Sequence, residues 1–142
     1  MPLQQGQTTI FKTNLLSGLE NFATGTPYTY KIALYTALAN LGYATTAYTT
    51  QNEITGTGYT AGGKTLVNPV LASSGQTAYL SFDNVVWTSA SFTARGALIY
   101  NSNTGAAVAV LDFGADKTTT PAGTFTVTFP TANASNAIIR LS

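Results

Sequence analysis

Two apolar runs of the chain flank one short cluster of turn-forming residues. The runs lie within residues 91–114, and the cluster between them, residues 101–105, reads Asn-Ser-Asn-Thr-Gly. β-Branched and aromatic runs on either side of such a cluster are typical of a β-hairpin. We therefore expect this hairpin to form the centre of a β-sandwich.

Alternation of apolar and polar positions predicts further strands on both sides of the hairpin. The alternation is clearest in residues 124–129, where Phe125, Val127 and Phe129 alternate with threonine. Pro69 cannot donate to a sheet ladder, so the strand that contains it should lie at an edge. The other predicted strands are residues 28–35, 66–71, 76–82, 85–88 and 136–141.

The spacing of these short strands defines the fold class. The segments give about seven or eight strands, separated by glycine, asparagine and proline turns. Parallel α/β folds need a helix between successive strands, and the pattern predicts no such helices. We therefore expect an all-β, mainly antiparallel fold, a jelly-roll-like β-sandwich with one N-terminal helix.

A helical period replaces the strand period near the N-terminus. Apolar residues recur there at three- to four-residue spacing, which predicts one amphipathic helix over residues 10–22. Thr8 or Thr9 is available as its N-cap, and Gly25 and Pro27 are expected to stop it. The apolar stripe can close the core or dock on a partner. Its residues are Phe11, Leu15, Leu19 and Phe22.

The length of the chain favours one domain. With 142 residues it can bury a core without metal or disulfide bonds. Residues 1–9 are interpreted as an extended N-terminal arm, followed by a single β-sandwich domain over residues 10–142 that includes the helix. Residues 36–63, rich in threonine, alanine and glycine, predict a long ordered loop.

Composition adds information mainly through charge. Charged residues make up 8% of the chain, the net charge is +1, and cysteine and histidine are absent. Such sparse charge does not suit nucleic acid or an anionic membrane as a partner. Residues 1–4 lack the basic start and apolar core of a signal peptide. A neutral surface of hydroxyls and amides suits a protein packed among many neighbours, or a sugar-binding module.

One motif imitates a nucleotide site. Residues 58–65 fit the phosphate-loop pattern, in which Lys64 would pair with phosphates and Thr65 would bind magnesium. A phosphate loop must open a helix, whereas the following Val67 and Pro69 disfavour one. We therefore interpret this segment as a glycine-rich turn.

Catalytic side chains are scarce. Without histidine and cysteine, the common nucleophile pairs and zinc sites are excluded. Asp112 and Asp116 lie close in sequence at a strand end, where they serve as turn caps or as a weak calcium site. We expect no enzymatic activity, no catalytic or metal residues and no cofactor. The acids of the chain are Glu20, Glu53, Asp83, Asp112 and Asp116.

Several segments together resemble small structural proteins of tailed bacteriophages. The resemblance runs through residues 11–18, 30–36, 52–63, 92–101, 109–114 and 137–141. It implies a virion component without enzymatic activity, a capsid cement (decoration) protein that stabilises contacts between major capsid subunits. The implied partners are the major capsid protein and copies of the chain itself, as a homo-oligomer, with no nucleic acid, membrane or small-molecule substrate.

The resemblance implies the outer capsid surface of the virion as the location, after synthesis in the host cytoplasm. A tail, neck or fibre component, including a carbohydrate-binding module, is the alternative, because loop tyrosines serve sugar stacking and protein interfaces alike. The expected contact elements are the arm, the helix and the loop before Lys64. Their candidate partner-binding residues are Leu3, Gln4, Gln5, Phe11, Leu15, Tyr43, Tyr48 and Tyr59.

Overall fold

The computed structural model describes residues 3–23, 28–121 and 123–141. Within these ranges the chain forms one helix, α1 (Thr9–Leu16), and ten strands. The strands are β1 (Gly6–Gln7), β2 (Tyr30–Tyr35), β3 (Lys64–Thr65), β4 (Val70–Ser74), β5 (Thr77–Ser81), β6 (Val85–Ala90), β7 (Thr93–Asn101), β8 (Ala107–Thr118), β9 (Gly123–Val127) and β10 (Ile139–Leu141).

The predicted hairpin lies at the centre of a five-stranded sheet. Strand β7 pairs antiparallel with β8 on one side and with β2 on the other, and the order of the sheet is β1-β8-β7-β2-β3. At the turn, Oδ1 of the buried Asn101 accepts a hydrogen bond from the N–H of Asn103 at 2.9 Å. Asparagine is favoured at such positions because its side chain can bond the backbone two residues on. The hairpin prediction is confirmed.

Two small sheets form the second layer of the fold. One has the order β10-β5-β4, and the other pairs β6 with β9. Both share a single hydrophobic core with one face of the five-stranded sheet. In this core Trp87 of β6 makes edge-to-face contacts with Phe92 and Phe125. The chain therefore has the predicted all-β, mainly antiparallel fold with one N-terminal helix, arranged as a sandwich.

The opposite face of the five-stranded sheet is buried as well. Its side chains form a second cluster with Leu3 and with Ala39 and Leu41 of the loop over residues 36–63. This loop contains no named strand or helix, and backbone hydrogen bonds attach it to the sheet, such as that from Tyr48 N–H to the carbonyl of Gly105 at 2.9 Å. The long ordered loop was predicted, but its position over the sheet was not.

The N-terminal segment also packs over the outer face of the five-stranded sheet. Leu3 is only 7% exposed, the N–H of Gln4 donates to the carbonyl of Leu41 at 2.9 Å, and β1 pairs with β8. The expected separation of an arm over residues 1–9 from the domain therefore does not hold for residues 3–9. The physical reason is that Leu3 fills apolar surface that the outer face of the sheet would otherwise expose.

Helix α1 begins close to the predicted residue and ends earlier than predicted. The prediction was a helix over residues 10–22. Thr8 is the N-cap, because its side chain accepts a hydrogen bond from the N–H of Phe11 at 3.2 Å. The expected stop signals, Gly25 and Pro27, lie outside the described residues.

The actual end of α1 is a glycine turn. Gly18 has a φ of +77°, and the N–H of Leu19 returns to the carbonyl of Asn14 at 2.8 Å. A left-handed glycine with this reversed hydrogen bond is the Schellman arrangement that ends many helices. Phe22 still reaches the main core, whereas Leu19 is 52% exposed. The apolar spacing therefore marked Phe11 and Phe22 correctly as buried but overestimated the length of the helix.

Candidate functional site

Burial removes several predicted partner-binding residues from the surface. Leu3 belongs to the second cluster, Phe11 is fully buried in the main core, and Leu15 is partly buried against it. The apolar character of Leu3 and Phe11 therefore serves the fold of the chain itself, whereas Leu15 keeps part of its surface exposed. The predicted residues that remain exposed are Gln4, Gln5 and Tyr43, the last of which is 66% exposed.

The two other predicted tyrosines meet at Glu53. The hydroxyl of Tyr48 donates to Oε1 of Glu53 at 2.6 Å, and the hydroxyl of Tyr59 donates to Oε2. The N–H of Gly62 also donates to Oε2, at 2.8 Å. We call Glu53, Tyr48, Tyr59 and Gly62 the Glu53 cluster. Its single carboxylate connects residues that precede and follow it in the loop.

Tyrosines of the sheet surround the Glu53 cluster. Tyr100 of β7 stacks on Tyr48 with ring centres 4.6 Å apart, and its hydroxyl donates to the carbonyl of Gly62 at 2.6 Å. Tyr35 of β2 donates to the carbonyl of Thr49 at 2.6 Å. Two strands of the sheet, β2 and β7, therefore each donate a phenol hydrogen bond to the loop over residues 36–63.

The environment of these phenols keeps them protonated. Burial is the largest cause that raises the pKa of each one above its usual value, and the hydrogen bond to Glu53 or its negative charge raises the pKa further. At neutral pH they therefore act as hydrogen-bond donors. Because Tyr48 stacks on Tyr100 and Tyr59 packs on Trp87, these rings do not form an open platform for a sugar. The phenols are those of Tyr35, Tyr48, Tyr59 and Tyr100.

The phosphate-loop imitation at residues 58–65 is a glycine-rich turn followed by a short strand. Lys64 begins β3 instead of a helix. Its ammonium group donates to the carbonyl of Val86 at 2.6 Å and lies 5.9 Å from the ring centre of Trp87. An ammonium group that lies over an indole ring and donates to a carbonyl is already engaged in contacts within the protein. The interpretation as a glycine-rich turn is confirmed.

Asp112 caps a turn, as one of its two expected roles requires. Its Oδ1 accepts from the N–H of Gly114 at 2.9 Å and from Nε of Arg95 at 3.2 Å. Asp116, the other residue of the suggested calcium site, is exposed. Within residues 3–23, 28–121 and 123–141, no three acidic side chains come together in a group that could hold a metal ion.

A second carboxylate, that of Glu20, is buried beside the central hairpin. Its Oε1 accepts hydrogen bonds from the hydroxyl of Tyr30 at 2.8 Å and from Nδ2 of Asn101 at 2.9 Å. Burial raises the pKa of Tyr30 well above its usual value, so this phenol also remains a donor. Sequence reasoning identified Glu20 only as a possible acid, because its partners lie far along the chain.

Sequence reasoning missed an apolar face at the second layer. Leu71 of β4 is 57% exposed and Leu141 of β10 is 45% exposed. Both line a shallow cavity of about 70 Å³ whose described lining residues are all apolar or aromatic. The signal for it was present, because residues 66–82 contain no charged residue. We define the apolar face by Leu15, Leu71, Ala78 and Leu141.

Together these features define a small all-β protein in which a buried carboxylate, a partly buried one and several phenols hold the loops in place. In the described part of the chain, no helix is long and apolar enough to cross a membrane. Comparisons with protein-family models, with curated proteins and with solved structures found no match.

Proposed function

We propose that the protein is a non-enzymatic structural component of a virion, a capsid cement (decoration) protein that stabilises contacts between major capsid subunits. The resemblance of its segments to small structural proteins of tailed bacteriophages supports this function. The structural observation that carries the proposal is the apolar face, because a cement protein needs a surface that gains free energy when another subunit covers it.

The apolar face has the properties of a protein contact. Contiguous exposed apolar side chains on a soluble domain mark interaction sites more often than scattered ones do. Leu71 belongs to a segment, residues 66–82, without any charge, so burying it removes no charged group from water.

The proposed partners are the major capsid protein and further copies of the chain. In this arrangement the protein is made in the host cytoplasm and occupies the outer capsid surface. The carboxylates of Glu20 and Glu53 accept hydrogen bonds that hold the fold together. This supports a structural role, because the hydrogen-bond partners that the described residues give these two carboxylates are phenols, amides and a backbone N–H, none of them a second carboxylate of the kind that paired-acid hydrolases use.

Electron cryo-microscopy of the virion, with the chain located in the map, tests the proposal directly. We expect density for this chain on the outer shell, with its apolar face against a capsid subunit. Density in the tail, neck or a fibre would replace the cement role with one of those roles. Absence of the chain from purified virions, or unchanged particle stability after its removal, would contradict the proposal.

A double variant tests the apolar face itself. Leu71→Ser with Leu141→Ser should weaken capsid attachment by at least about tenfold, because the burial of each leucine contributes on the order of 1.5–3 kcal/mol. Leu38→Ser is the matched control, since Leu38 is exposed but does not line the apolar face. Equal attachment of both variants would exclude this face as the contact.

A further inference from the structure

A groove runs between the edges of the two layers. Strand β1 is the outermost strand of the five-stranded sheet, and β10 is the outermost strand of the three-stranded sheet. Residues of both strands line one cavity of about 670 Å³. The edges approach each other at one point, where Nε2 of Gln7 donates to the carbonyl of Arg140 at 3.0 Å. The remainder of the groove is open.

The backbone at these edges offers hydrogen-bond donors to the groove. The N–H of Thr8 donates to the carbonyl of Val108, so the alternation of an antiparallel ladder turns the N–H of Gln7 away from β8. The carbonyl of Arg140 faces the side-chain amide of Gln7. Its own N–H points to the same side, because both groups of one residue share an edge.

The charged side chains of the groove have one sign. Lys12 and Arg140 are the only charged residues among the described residues that line it. The guanidinium of Arg140 uses Nη1 to donate to the carbonyl of Ser135 at 2.6 Å and keeps further N–H donors. In residues 3–23, 28–121 and 123–141, neither cation forms an ion pair with a carboxylate. The groove therefore favours a ligand that brings acceptors and negative charge.

We propose that this groove binds an extended, acidic segment of a partner protein, which adds as a strand at the edge of β1 while its carboxylates bind Lys12 and Arg140. Addition of a peptide strand to an open sheet edge is a common mode of recognition. The backbone N–H groups of Gln7 and Arg140, which turn away from β8 and β5, favour a peptide over an acidic sugar, which cannot continue a β-ladder. The groove also adjoins a second cavity of about 460 Å³ through Gln5, Leu111, Pro130 and Ile138, which provides the length that an extended segment needs. The charged residues that line this second cavity are Lys117 and Asp112, and the carboxylate of Asp112 is already paired with Arg95.

This proposal rests on the proposed function and extends it, because it specifies that the partner contributes an extended, acidic segment. Its first test does not depend on virions. A blocked five-residue peptide of alternating valine and glutamate is titrated into the full chain, and affinity and backbone amide shifts are measured. We expect saturable binding, with shifts at β1, Lys12 and β10, and about tenfold weaker binding of the matched peptide with glutamine in place of glutamate.

Variants of the two cations make this test specific. Lys12→Gln with Arg140→Gln should weaken binding of the acidic peptide about tenfold, whereas the charge-preserving pair Lys12→Arg with Arg140→Lys should retain most of it. Lys31→Gln is the control, because Lys31 lies on β2 away from the groove. Circular dichroism of each variant verifies that the fold is retained.

Several outcomes would overturn the inference. These are no binding of the acidic peptide at millimolar concentration, equal binding of the acidic and glutamine peptides, shifts outside the groove, or no effect of the double variant. Tighter binding of an oligogalacturonate than of the peptide would also overturn it, since the ligand would then be an acidic sugar.

A second test separates the inference from the proposed function. Virions are assembled with the Lys12→Gln and Arg140→Gln chain and its occupancy is measured. Reduced occupancy relative to Lys31→Gln supports the groove as a capsid contact. Normal occupancy would refute the groove as that contact while leaving the cement function intact. Absence of even the wild-type chain from virions would refute the cement function, and the peptide titration would then decide the groove alone.

Discussion

The hydroxyl of Tyr59 donates a hydrogen bond to Oε2 of Glu53 and accepts one from the N–H of Leu34 at 3.0 Å. Tyr59 belongs to the loop over residues 36–63, whereas Leu34 lies in β2 of the central sheet. One phenol thus connects the carboxylate that organises the loop with the backbone of the sheet. The loop is held by directional bonds, in addition to its apolar contacts, and this makes Glu53 a sensitive position.

Replacement of Glu53 should destabilise the fold. Glu53→Ala removes the acceptor of three donors, the hydroxyls of Tyr48 and Tyr59 and the N–H of Gly62. We expect the free energy of unfolding to fall by about 2–4 kcal/mol, because partly buried donors lose a charged acceptor. Glu53→Gln should cost less, since its carbonyl can still accept. Urea denaturation measures both.

Asp116→Ala is the control for Glu53, because Asp116 is an exposed acid. Its free energy of unfolding should stay within about 0.5 kcal/mol of the wild type. A Glu53→Ala variant as stable as this control would show that the loop is held by apolar contacts alone.

Alkaline pH should unfold the protein through the same tyrosines. Burial raises the pKa of Tyr35, Tyr59 and Tyr100 above the usual value of about 10. Above that pH the unfolded chain releases protons that the folded chain retains, so stability is complete below about pH 10 and falls as the pH rises further. Each such phenol contributes up to about 1.4 kcal/mol per pH unit to the loss.

Urea denaturation at a series of pH values, together with tyrosinate absorbance, measures this loss. The tyrosinate absorbance of Tyr35, Tyr59 and Tyr100 should appear in the same transition as unfolding, whereas exposed tyrosines such as Tyr43 can ionise in the folded chain. The Tyr35→Phe variant should show a shallower decline above pH 10, because it has one titrating phenol fewer. Constant stability up to about pH 11 would contradict the proposed protonation of these buried phenols.

The N-terminal segment should be part of the folding unit. Leu3→Ala should lower the free energy of unfolding by about 2–3 kcal/mol, because Leu3 is buried against the outer face of the central sheet. Leu16→Ala removes the same side chain from an exposed position and should change stability by less than about 0.5 kcal/mol. Equal effects of the two variants in urea denaturation would show that the segment does not pack on the sheet.

The strands could be predicted because their signals are local. The turn at residues 101–105 and the alternation in residues 124–129 need only neighbouring residues to be recognised. The end of α1 was also visible locally, at Gly18, but the apolar spacing of Leu19 and Phe22 outweighed it in the prediction. Single glycines are tolerated within helices often enough that this signal is ambiguous without the reversed hydrogen bond at Leu19.

Two features depend on contacts between distant parts of the chain: the Glu53 cluster, and the packing of the loop and the N-terminal segment over the outer face of the sheet. One sequence signal for this packing was nevertheless present. Residues 97–100 and 106–111 are continuous apolar runs without alternation, which is typical of strands buried on both faces. They required an unassigned element over the outer face of the sheet. No local signal could have shown that the element is the loop and the N-terminal segment, because the loop has no period of its own.

Gly63 should be the least replaceable glycine of the loop. It has a φ of +79°, and a Cβ atom at this position would overlap the carbonyl oxygen of Ile32 in β2. Gly63→Ala therefore forces the loop away from the sheet edge, and we expect a loss of at least about 3 kcal/mol in the free energy of unfolding. Gly75 also has a positive φ, of +59°, but a Cβ atom there would have no neighbour within 4 Å. Gly75→Ala should thus lower the free energy of unfolding only by the cost of holding alanine at a positive φ, about 1 kcal/mol. If urea denaturation gave the same loss for both variants, the close approach of Gly63 to β2 would not contribute to stability.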